Sequence, residues 1–88
     1  MKLILTETRW IETPAEDLSI RYELLSGDGS GTAQYSVRLL NENTGEIAEV
    51  RDLTADEGRA LRFFDSVLRG SVTPVTLREI AEDFAAAF

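Results

Sequence analysis

Cysteine and histidine are both missing from the 88 residues, lysine occurs only at Lys2, and proline only at Pro14 and Pro74. Without cysteine there is no disulfide and no thiolate nucleophile. Without either residue, zinc sites of the usual ligand types and every imidazole proton relay are excluded. The hydroxyls of Thr8, Ser19, Ser36 and Ser66 therefore have no evident base, and they read as surface or turn residues. No run approaches the roughly 20 apolar residues of a membrane span. Met1-Lys-Leu-Ile-Leu5 offers only a short apolar stretch before Thr6 and Glu7, too little for a secretory signal core. A protein of the bacterial-cytosol type, with no membrane partner, is the expectation.

Positive charge is also scarce. Nine Lys and Arg stand against 16 Asp and Glu, for a net charge of −7. The excess is shared, with 5 against 10 in residues 1–53 and 4 against 6 in residues 54–88. Nucleic-acid binding relies on Lys and Arg neutralising phosphates, so this balance argues against it and favours a basic protein partner. A composition of 43% hydrophobic and 28% charged residues belongs to folded chains rather than disordered ones. Residues 1–88 make a single domain, and a chain of this size buries about 60 to 65% of its unfolded surface.

What is present is periodicity. Leu18-Ser-Ile-Arg-Tyr-Glu-Leu24 alternates strictly, with Leu18, Ile20, Tyr22 and Leu24 on one face, as a half-buried strand requires. Gly27-Asp-Gly-Ser-Gly31 reads as a turn, after which Ala33, Tyr35, Val37 and Leu39 repeat the alternation. A second turn at Asn43-Thr-Gly45 leads into Glu46-Ile-Ala-Glu-Val50. Setting Asn41 opposite Glu46 aligns Val37 with Val50, Leu39 with Ala48 and Arg38 with Glu49, two apolar pairs and one ion pair. Lys2 to Ile11 is strand-like too, and its pattern leaves open whether Trp10 or Ile11 points inward. Pro14, Glu16 and Asp17 separate it from the next strand.

After Leu53 the period lengthens to that of a helix. Ala60, Leu61, Phe64, Val67 and Leu68 share a face with Phe63 at its margin, Thr54 and Glu57 match a capping box, and Gly70 marks a stop. Pro74 then precedes a second box at Thr76 and Glu79, with Leu77, Ile80, Ala81, Phe84 and Phe88 as the stripe. The expected helices span residues 54–70 and 76–88. Strands first and helices after predict an α+β fold: a four-stranded antiparallel meander with two helices packed on one face, ββββαα.

Several clusters invite a chemical reading. Asp28-Gly-Ser-Gly-Thr32 faintly matches a calcium loop. Aligning Gly31 with that motif's glycine, however, leaves Ser26 and Val37 where the first and last ligands belong, so an ordinary hairpin turn is expected. Glu79, Glu82 and Asp83 share a helix side and suit a hard cation, a basic partner, or simply solvent. Glu7 and Asp52 are the nearest candidates for carboxylate catalysis, which would need a pocket raising one pKa. Phe64 and Phe84 are expected in the core, with Phe63 and Phe88 the aromatics left for a partner. No cofactor and no metal is expected.

Val50-Arg-Asp-Leu-Thr54 leading into an acidic-started helix, and Val72-Thr-Pro-Val-Thr-Leu-Arg-Glu-Ile-Ala-Glu-Asp-Phe84, resemble a family of small bacterial proteins known only as a domain of unknown function. The resemblance covers roughly the last 40 residues. It implies a compact cytoplasmic domain and supplies no catalytic residue to carry over. The expected role is a non-catalytic protein-interaction module, self-associating as a homodimer or binding another protein. Its surface is expected either on the open sheet face at Leu25, Leu40 and Ile47 or along the last helix at Pro74, Arg78, Glu79, Glu82 and Asp83. A small carboxylate- or metal-dependent enzyme and an acidic regulator of a basic protein are the alternatives.

Overall fold

The computed structural model describes residues 2–12, 14–15, 17–29, 32–70 and 72–86. Four strands, β1 (Lys2–Glu12), β2 (Asp17–Gly29), β3 (Thr32–Asn41) and β4 (Ile47–Thr54), precede two helices, α1 (Glu57–Arg69) and α2 (Pro74–Ala86). The strands form one antiparallel sheet in the order β1-β2-β3-β4, and both helices pack on it, as the change of period predicts. At about 3.3 Å per residue the 13-residue β2 is roughly 43 Å long. Strand length thus sets the 45 Å longest dimension of the molecule.

The third and fourth strands pair in the expected register, with Val37 opposite Val50, Arg38 opposite Glu49 and Leu39 opposite Ala48. Their turn keeps the expected Gly45, while the side chain that closes it is Asn41, at the end of β3 and ahead of the expected Asn43-Thr-Gly45 turn. The Asn41 side-chain oxygen accepts from the Asn43 and Thr44 amides at 2.9 and 3.3 Å, and Gly45 takes φ +81°, a value only glycine adopts freely. Asn43 also donates to the Asp17 carbonyl at 3.1 Å, which fastens the turn to β2. The expected turn at Gly27 to Gly31 is shorter in fact. Pairing continues through Gly27 with Gln34, Asp28 with Ala33 and Gly29 with Thr32, leaving only Ser30 and Gly31, which lie outside the described residues.

Ile20, Tyr22, Leu24, Tyr35, Val37 and Leu39 build the sheet side of the core, and Ala60, Phe63, Phe64, Val67, Val72, Leu77 and Ala81 build the helix side. Ile11 packs against this core while Trp10 stays 64% exposed on the other face. One helical assignment is reversed. Phe63 is 1% exposed and stacks on Phe84 with ring centroids 5.0 Å apart, whereas Leu61 is 38% exposed. Phe63 is therefore no aromatic left for a partner: the second helix covers the margin of the stripe, which a single-helix periodicity does not include. Phe88 lies outside the described residues.

Both helix starts also differ from expectation. Asp56, in an extended conformation, caps α1 by accepting from the Arg59 amide at 2.9 Å, while the Thr54 hydroxyl accepts from the Asp56 amide at 3.1 Å. The carboxylate is closer to the free amides than Thr54 and takes the cap. Pro74, expected ahead of the second helix, is the first residue of α2, where its fixed φ and missing N–H suit a helix start. Thr76 accordingly sits in the first turn, its hydroxyl donating to the Thr73 carbonyl at 3.3 Å.

Candidate functional site

The last strand of a meander has a neighbour on one side only, so β4 presents a free edge. Helix α2 runs beside it, and the space between them is a groove of two adjoining hollows, about 380 and 490 Å³. Ile47, Ala48, Pro74, Val75 and Leu77 line the first, and Arg51, Asp52, Leu53, Ala81 and Glu82 line the second. Glu49, Val50 and Arg78 line both and join them.

Two local features shape the walls of this groove. The buried Tyr22 hydroxyl donates to the Val72 carbonyl at 2.8 Å, tying the connection between the helices to the sheet and so placing the start of α2. Burial pushes the Tyr22 phenol above its ordinary pKa, an effect that the nearby Arg9 charge partly offsets. Opposite Ser36, β4 carries the three residues Arg51, Asp52 and Leu53 between the Val37–Val50 and Tyr35–Thr54 pairs. That bulge is pinned by the Asp52 amide, which donates to the Ser36 hydroxyl at 3.1 Å, and it forces Asp52 to φ +51°.

A charged row crosses the opposite face of the sheet. Arg38 donates to Glu23 at 2.7 Å and stands across from Glu49, whose carboxylate accepts from Arg51 at 3.1 Å. The bond to Glu23 holds the Arg38 guanidinium above its ordinary pKa. Glu23 is only 8% exposed, so this pairing is what makes its burial tolerable. At the end of the sheet, Glu42 accepts from the Ser19 hydroxyl at 3.0 Å and from Arg21 at 2.6 Å, and both hold its carboxyl below the ordinary carboxylate range.

This row divides the apolar side chains expected to gather on the open face. Leu40 and Ile47 stand opposite one another, with Ile47 59% exposed and Leu40 half-buried. Leu25 pairs instead with Ser36, beyond the Glu23–Arg38 pair, and is 6% exposed. The three are thus split by charge. Ile47, Pro74, Arg78 and Glu82, taken in the sequence reading from two separate surfaces, come together in the groove. Glu79 and Asp83 are exposed on α2 and do not line it.

Glu7 and Asp52 sit on opposite edge strands, three strand spacings or roughly 14 Å apart across the sheet. Among the described residues no three acidic side chains, the Glu79, Glu82 and Asp83 group included, converge on a point where a metal ion could be held. The groove itself went unseen in the sequence because its walls come from residues some 25 positions apart. Its one legible sign is that a fourth and final strand must be an edge.

A family model described as a family of unknown function (DUF6514) matches residues 1–87, well beyond the C-terminal stretches that carry the resemblance. No curated protein and no solved structure gave a match.

Proposed function

The chain belongs to the family of unknown function DUF6514, whose description assigns no reaction, and from that premise we propose that it is a non-catalytic protein-interaction module of the cytoplasm. It binds an extended segment of another protein, laid along β4 against α2. The observation that carries this reading is the groove between a free strand edge and a neighbouring helix. A strand edge offers amide and carbonyl groups at a spacing that only another extended backbone matches, and hollows on either side select its side chains.

The occupant's chemistry follows from the lining. Ile47, Val50, Val75 and Leu53 ask for apolar side chains at alternate positions. Glu49, Asp52 and Glu82 line the groove, and Glu79 and Asp83 continue along α2, against Arg51 and Arg78. Three acids against two arginines in the lining, with Glu79 and Asp83 exposed beside it on the same helix, favour an apolar segment carrying basic residues.

The test is selection of displayed random peptides, about seven residues long to match an edge strand, followed by NMR titration of the enriched peptide. Amide shifts and slowed exchange are expected along Ile47–Thr54 and the first half of α2. Replacing the exposed Ile47 by Asp should weaken binding about tenfold or more while the fold is retained. No enrichment, or shifts confined to other strands, would remove the proposal.

A further inference from the structure

The sheet has a second free edge, and no helix accompanies it. Strand β1 is exposed along nearly its whole length, only Ile11 being half-buried, with Leu3, Leu5 and Trp10 at 47%, 40% and 64%. Both helices lie over β2 to β4. Long, apolar, uncovered edges are the ones that recruit another strand, and native sheets otherwise blunt them with a bulge, proline or charge. Here a bulge falls only at the start, between Leu3 and Leu5, and residues Leu5 to Glu12 pair with β2 without interruption.

We infer that β1 pairs antiparallel with β1 of a second copy of this chain, around a two-fold axis through Thr8, making one continuous sheet from two four-stranded halves. The register follows from face and charge. A two-fold axis perpendicular to the sheet keeps every side chain on its own face. Since successive side chains alternate, only registers in which position numbers sum to an even value are allowed. An axis at Glu7 would set Glu7 against itself, and one at Arg9 would set Arg9 against itself. At Thr6 it would place Leu5 across from Glu7.

The axis at Thr8 avoids all of these. Glu7 of each copy stands opposite Arg9 of the other, Leu5 opposite Ile11, and Thr6 opposite Trp10. Leu5, Glu7, Arg9 and Ile11 share the helix-bearing face, since their β2 neighbours are Leu24, Tyr22, Ile20 and Leu18. Two cross-strand ion pairs and two apolar pairs thus form together on that face. Among the described residues neither Glu7 nor Arg9 forms an ion pair within the chain. With β1 bare of helix, two copies approach without their helices colliding. The β4 grooves are left at the two outer edges of the joined sheet, so the dimer holds independently of what those grooves bind.

Sedimentation equilibrium of the full chain tests this. The wild type should have twice the 9.8 kDa chain mass. Arg9→Glu sets four acids together at the interface and should raise the dimer dissociation constant about 10- to 100-fold, both symmetric contacts being lost. Adding Glu7→Arg to it restores opposite charges and should return the constant to within about threefold of wild type. Thr8→Asp, which puts like charges face to face on the axis, should give a monomer with unchanged far-ultraviolet dichroism. A wild type that stays monomeric to about 100 µM overturns the proposal, as does a dimer indifferent to Arg9→Glu and Thr8→Asp. A charge-swapped double variant no better than Arg9→Glu overturns the register. Peptide binding measured on the Thr8→Asp monomer reads the β4 groove separately.

Discussion

At Tyr22 a single hydroxyl joins the sheet to the connection between the helices, and the buried Val72 carbonyl depends on it. Tyr22→Phe leaves that carbonyl without its donor and should lower stability by about 1 to 2 kcal/mol in urea melts, with an unchanged slope. The same phenol sets an alkaline limit. Its folded pKa is raised above the ordinary 10.0, so the folded state binds the proton more tightly than the unfolded chain does. The resulting stabilisation is complete below pH 10.0 and is lost as pH rises from there through the folded value. Wild type should therefore lose stability above that pH more steeply than Tyr22→Phe, read from urea midpoints at successive pH values. Asp52 is the second such residue. At φ +51° a β-branched side chain is poorly tolerated, so Asp52→Val should destabilise by at least about 1 kcal/mol while Asp52→Gly is neutral or slightly stabilising.

Among the elements, the helices carry the sharpest contrasts. The cap of α1 is Asp56, so Asp56→Ala should reduce stability by about 0.5 to 2 kcal/mol. Thr54→Ala should have a smaller effect, because its hydroxyl serves one amide before the helix. A capping box read from spacing alone would reverse that order. In α2, Leu77 is fully buried against the sheet, and Leu77→Ala should cost about 2 to 5 kcal/mol through the cavity it leaves. Thermal or urea unfolding of these variants decides both comparisons. The Leu77 position was legible from the 3.6-residue stripe. The roles of Phe63 and Leu61 were not, since which margin of a helix is covered depends on where a second helix lands.

For the whole molecule, the two edges of the sheet are unlike, one flanked by a helix and one bare. A bare edge opens most easily, so β1 amides should exchange fastest at low protein concentration. Their exchange should slow as concentration rises and the second copy covers them, followed by hydrogen exchange mass spectrometry; β2 and β3 should change little. Composition and period by themselves determined a great deal here: the excluded chemistries, four strands before two helices, and the β3 to β4 register. These follow from residue types and from contacts between neighbours in the chain, where alternation and turn residues act over a few positions. The tertiary structure alone decided that Leu25 is set apart from Leu40 and Ile47, that Pro74 starts a helix beside β4, and that Glu23 lies buried under Arg38. Each of those depends on which surfaces meet across long stretches of chain. A groove between residues 47–53 and 74–82 exists only once the second helix has docked along the last strand.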